Sequence, residues 1–119
     1  MAMRELARGE WRRYCDRVSK QLVDERVELD VASLELGDRV EARWLPLLGL
    51  VFDARGNVFE IALEGVGHSI FAPREIHLEE TERGLVAIEI VSASDSVETL
   101  RFREPLRLEI PEELVDERR

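Results

Sequence analysis

The chain has a single cysteine, Cys15, and two histidines, His68 and His77, among its 119 residues. One cysteine forms no internal disulfide and rules out four-ligand cysteine metal sites, and the spacing of the two histidines fits no zinc motif. No metal and no cofactor is therefore expected. There is no G-x-G-x-x-G or other phosphate-binding loop, and no serine stands in a G-x-S-x-G elbow. No apolar run approaches the roughly 20 residues of a membrane span. The opening M-A-M-R-E-L-A-R-G-E lacks the apolar centre of a secretory signal. The expectation is a cytoplasmic protein with no membrane contact, no internal repeat and no low-complexity tract.

What is present describes a globular chain, with 45% hydrophobic and 36% charged residues. Its length suits one domain, drawn here as residues 1–108, followed by a polar tail over 109–119 in which Pro111 stops any strand. The net charge is −9, unevenly spread. Residues 1–20 hold six basic side chains against three acidic ones, so the remainder is strongly acidic. An acidic body repels phosphate backbones, and no nucleic-acid partner is expected.

The stretch Arg39 to Leu63 organises the rest. Phe59, Ile61 and Leu63 alternate with Glu60, Ala62 and Glu64, the period of a strand with one buried face. Before them, Asp53-Ala54-Arg55-Gly56-Asn57 predicts a three-residue loop closed by a glycine bulge. That loop pairs Val51 with Phe59, Gly49 with Ile61 and Leu47 with Leu63. The same reasoning at Glu82-Arg83-Gly84 pairs Leu78 with Ile88 and Ile76 with Ile90. At Ser94-Asp95-Ser96 it pairs Ile90 with Leu100 and Ile88 with Phe102. Gly37-Asp38 predicts a tight loop placing Val31 opposite Trp44. Residues from about Gly9 to Leu22 form an amphipathic helix, with Trp11, Tyr14, Cys15, Val18 and Leu22 along one stripe. The expected fold is α+β: an N-terminal helix packed on a curved antiparallel β-meander or half-open barrel of about seven strands.

Candidate chemistry is thin. No catalytic residue is assigned. His77 alternates with Ile76 and Leu78 and should face solvent, while His68 follows a glycine turn. Glu60, Glu64, Glu75, Glu79, Glu80, Glu82 and Glu89 mostly alternate outward, where a solvated sheet face is the ordinary outcome. Trp11 and Trp44 are both assigned to the core, and Cys15 to a small apolar position on the helix stripe. Leu50, Phe52 and Val58 fall on the second face of the sheet in this register. An apolar patch there is expected to be covered by the helix, by closure of the barrel or by a second copy of the chain, and a homodimer with Phe52 in its contact is the expectation taken.

The order of elements resembles a family of short bacterial proteins catalogued only as a domain of unknown function. The residues that carry the likeness are the opening R-E-x-x-R-x-x-W, then V-E-L-D-V, V-E-A-R-W-L-P-L-L-G-L, A-P-R-E-I-H-L-E-E and a closing L-R-F-R, over about Arg4 to Pro105. The resemblance implies the helix-plus-meander fold, and a histidine near the position of His68, with no role attached. The expected function is a small non-enzymatic binding or assembly module. Two alternatives stand beside it. One is a ligand binder with a pocket between helix and sheet and with Trp44 and His68 at its mouth. The other is a carboxylate-based hydrolase.

Overall fold

The computed structural model describes residues 2–35 and 37–108. In chain order they form β1 (Ala2–Glu5), a 3-10 turn at Arg8–Glu10, and α1 (Trp11–Lys20). Seven more strands follow: β2 (Arg26–Ser33), β3 (Gly37–Asp53), β4 (Val58–Leu63), β5 (Val66–Phe71), β6 (Pro73–Thr81), β7 (Gly84–Ser92) and β8 (Val97–Leu106). All neighbours run antiparallel in the order β1-β6-β7-β8-β2-β3-β4-β5. The fold is the α+β class read from the sequence, with eight strands and no closure into a barrel, since β1 and β5 end the order. The assigned tail over 109–119 lies outside the described residues.

The helix forms where the apolar spacing places it. Trp11, Tyr14, Cys15 and Val18 are buried on one stripe, and Arg12, Arg13, Asp16 and Lys20 face solvent. The sequence Arg4 to Arg8 does not extend it. Ala2–Glu5 pairs with β6 instead, and Trp11 donates its indole N–H to the carbonyl of Leu6 at 2.8 Å. That bond fixes the chain's entry into the helix and satisfies the one polar atom of a buried tryptophan.

Strand β3 is long because it serves two partners. Its first half pairs with β2 and its second with β4. Between them Arg43 and Trp44 together face Glu28, and Trp44 takes φ +55°, a left-handed conformation that is rare for a bulky residue and marks a bulge. Arg26 donates to the Trp44 carbonyl at 3.1 Å and Arg43 to the Glu28 carboxylate at 3.2 Å, which hold the bulge on either side. Trp44 is thus half-buried in a bulge, not core. Val31 lies opposite Arg39, with the turn closed at Ser33 and Gly37.

The β3–β4 loop corrects the expected register by one residue. Asn57 as well as Gly56 belongs to the turn and takes φ +54°, while the Asp53 carboxylate accepts from the amides of Arg55 and Gly56 at 3.0 and 3.3 Å. Phe52 therefore opposes Phe59, and Leu50 opposes Ile61. A one-residue slip exchanges the faces of a strand. Phe52 is only 6% exposed, in the core against Trp11, while Val51 is 56% exposed. A bulge between Leu47 and Gly49 restores the expected pairing of Leu47 with Leu63.

The β6–β7 hairpin has the expected register, Leu78 opposite Ile88 and Ile76 opposite Ile90. At β7–β8 the turn spans more residues: Ser92 N–H donates to the Ser96 carbonyl at 3.0 Å, and Asp95 takes φ +67°. Ile88 meets Leu100 and Ile90 meets Glu98. The slip is two residues, so the inward facing of Leu100 and Phe102 survives. Gly84 begins β7 at φ +133°, and a Cβ there would stand 2.5 Å from the Leu106 carbonyl oxygen. Only glycine permits that approach.

Candidate functional site

On β8, Leu100 and Phe102 point into the core, and Glu98 is next on the same face. Its strand partners are Val31 on β2 and Ile90 on β7. A carboxylate flanked by two aliphatic side chains and 7% exposed needs a charged or hydrogen-bonding partner. His68 supplies it: its Nε2 is in direct contact with Glu98 Oε1.

The contact also reports the shape of the sheet. His68 is on β5 and Glu98 on β8, with β2, β3 and β4 between them. In a flat sheet four inter-strand steps would separate them by about 19 Å. Contact is possible only because the sheet curls back, closing over its own inner face. On β3, Glu41 lies close enough for its charge to act on His68, and Arg39 pairs with Glu41 at 3.0 Å. The hydrogen bond to Glu98 raises the His68 pKa above the ordinary histidine value, burial works against it, and the charges of Glu98 and Glu41 add to the rise. The result favours an imidazolium–carboxylate pair that ties β5 to β8.

The other sequence candidates are dispersed. His77 is half-buried, with Nε2 3.0 Å from a Glu75 oxygen. The two histidines thus pair with different glutamates on different strands. Among the described residues no group of three His, Cys, Asp or Glu side chains could hold a metal ion. Glu60, Glu64 and Glu82 are exposed, and Glu75, Glu79, Glu80 and Glu89 are half-buried on strands or strand ends. Among the described residues the most buried carboxylate is a further one, Glu98. Its signal was available: it occupies an inward position in the β8 alternation, where an apolar residue is expected. Trp44 and His68 stand on different strands, β3 and β5. One sits in the β3 bulge and the other faces β8.

The family-like residues Arg4, Arg8 and Trp11 all have structural partners. Arg4 pairs with Glu80 at 2.8 Å. Arg8 lies 4.6 Å over the Trp11 ring and 5.4 Å from that of Phe52, and donates to Asn57 Oδ1 at 2.6 Å. Its guanidinium seals the aromatic pair and ties the N-terminal segment to the β3–β4 turn.

A family model matches residues 2–111, nearly the whole chain. The chain belongs to a family of unknown function, DUF5335. It is similar to an uncharacterised protein of the bacterium Aquifex aeolicus, 37% identical over 109 residues, covering 91% of this chain and 98% of that one. No solved structure matches. Among the described residues no helix is long and apolar enough to cross a membrane.

The strand edges distinguish one part of the surface. An edge presents unpaired backbone groups and is ordinarily shortened, charged or covered. The edge at β1 is four residues long and carries Arg4 and Glu5. The second half of β3 is covered by α1: Ser19 Oγ donates to the Leu50 carbonyl at 3.0 Å and accepts from the Leu50 amide at 2.9 Å. Among the described residues the edge at β5 has neither device. Its sequence is Val66-Gly67-His68-Ser69-Ile70-Phe71, with His68 turned inward to Glu98, and Phe71 is 71% exposed.

Proposed function

We propose that the chain is a non-enzymatic assembly module that self-associates through the open edge of β5. The observation that carries this reading is the contrast between edges: β1 is short and charged, β3 is covered by Ser19, and β5 is bare and free of lysine, arginine, aspartate and glutamate. Two antiparallel copies of β5 related by a twofold axis through Ser69 would set Phe71 of each opposite Gly67 of the other. A large ring over a residue without a side chain is a favourable cross-strand pair. The pairing extends the sheet without exposing a new edge, the closed arrangement expected of a twofold dimer. Phe52, being core, takes no part in the contact.

Sedimentation at roughly 100 µM tests the reading, at a concentration where edge pairing of micromolar strength is populated. The native chain should sediment as a dimer. Ser69→Lys sets two ammonium groups opposite one another at the twofold axis and should give a folded monomer, since Ser69 is exposed. A native chain that is monomeric, or a dimer indifferent to Ser69→Lys, rules out the β5 contact.

A further inference from the structure

A cleft of about 380 Å³ opens where α1, β1, the β6–β7 turn and the end of β8 meet. Its position follows from features already described. The Arg4–Glu80 pair and the close approach of Gly84 to the Leu106 carbonyl both belong to its lining. Four arginines line it, Arg4, Arg17, Arg83 and Arg107, against Glu80 and Glu82. In a chain of net charge −9 the described lining residues carry +2. Glu80 is already engaged by Arg4 through two contacts, at 2.8 and 3.4 Å.

Tyr14 also lines this cleft. It is 6% exposed, and its hydroxyl is buried without a hydrogen-bond partner among the described residues. Buried hydroxyls are nearly always satisfied, and an orphan calls for an occupant. Burial, with the Glu80 charge adding to it, pushes the Tyr14 pKa up to about 12, against the opposing charges of Arg4 and Arg17. The phenol is therefore protonated at neutral pH and can donate.

We propose that the cleft binds a small, multiply charged oxyanion, with the Tyr14 hydroxyl donating to one oxygen and the Arg83 and Arg107 guanidinium groups engaging the others. Guanidinium forks match the paired oxygens of phosphoryl and carboxylate groups alike. The lining discriminates by charge: a neutral molecule offers the Arg83 and Arg107 guanidinium groups no counter-charge, and a cation would be repelled by them. The site is separate from the β5 edge, so neither proposal depends on the other.

The sequence has one tyrosine. Chain carrying carbon-13 at the tyrosine Cζ therefore gives one resonance, reporting on this hydroxyl alone. Titration of the full chain with inorganic pyrophosphate and, separately, with citrate should move that resonance saturably, while sodium chloride at matched ionic strength should not. Saturation by pyrophosphate alone assigns a phosphoryl ligand, and by citrate alone a polycarboxylate. The double variant Arg83→Ala/Arg107→Ala should weaken binding by about tenfold or more with the resonance at its native starting position. By calorimetry, Tyr14→Phe should bind more weakly while unfolding at an undiminished urea midpoint, because the hydroxyl it removes has no protein partner. No saturable shift with either anion, a shift reproduced by chloride, or an affinity unchanged in the double variant would overturn the proposal.

Discussion

Trp11 and Phe52 meet edge to face, with ring centroids 5.0 Å apart and planes at 77°. One residue comes from the first turn of α1, the other from the far end of β3. Their contact, closed over by Arg8, seats the helix on the sheet. Truncating Trp11 to alanine empties the largest fully buried side chain and should cost about 3–5 kcal/mol in urea unfolding. A loss below about 1 kcal/mol would mean that the helix is seated by other contacts.

Cys15 lies on the same buried stripe. Burial, with the charge of Asp16 adding to it, pushes its thiol pKa up to about 12. The thiolate is the nucleophile, so a chain that stays folded presents almost none of it at pH 8. Labelling by an aromatic disulfide should be on the order of a hundredfold slower in buffer than in denaturant. Comparable rates in the two solutions would contradict the packing of α1 against β3.

The pair of His68 with Glu98 makes stability depend on pH with a definite sign. The folded-state pKa of His68 is raised above its ordinary value of 6.5. Its contribution is therefore fully present below about pH 6.5 and is lost as pH rises through the higher folded value. Thermal unfolding of the native chain and of His68→Gln between pH 6 and 9 measures it. The native advantage should be largest at pH 6 and shrink steadily toward pH 9. A gap that widens with pH would mean that neutral imidazole is the favoured form.

The sequence was most legible where turn and face were set by the same few residues. The β6–β7 hairpin has its glycine at Gly84 and its apolar residues two apart, which together fix Leu78 opposite Ile88 and Ile76 opposite Ile90. At β3–β4 the choice between Gly56 and Asn57 as the left-handed residue decided the register. Asparagine tolerates that conformation well enough to take it, which sent Phe52 inward. Asp95 did the same at β7–β8, with less consequence because a slip of two preserves the faces. Ala2–Glu5 is too short and too polar to show a period, and it becomes a strand only because β6 offers it an edge. The His68–Glu98 pair and the Tyr14 cleft join residues 30 or more positions apart, and no local pattern announces such contacts. Trp44 leaves the core for a related reason. The alternation along β3 is interrupted there by a bulge that local sequence does not mark.

The place of β2, between β3 and β8, has a consequence for synthesis of the chain. Val27 can find β3 within a hairpin, but its partner on the other side, Phe102, is made roughly 75 residues later. At ordinary ribosomal speed that is a wait of about 4–15 s. Through that interval the nascent chain carries an unpaired, apolar strand edge, and β7 likewise waits for β8. A chain cut short before β8 would separate β1-β6-β7 from β2-β3-β4-β5 and add two open edges, β7 and β2, to the one at β5. Among the described strands, β8 comes last in the chain and joins the two halves of the sheet.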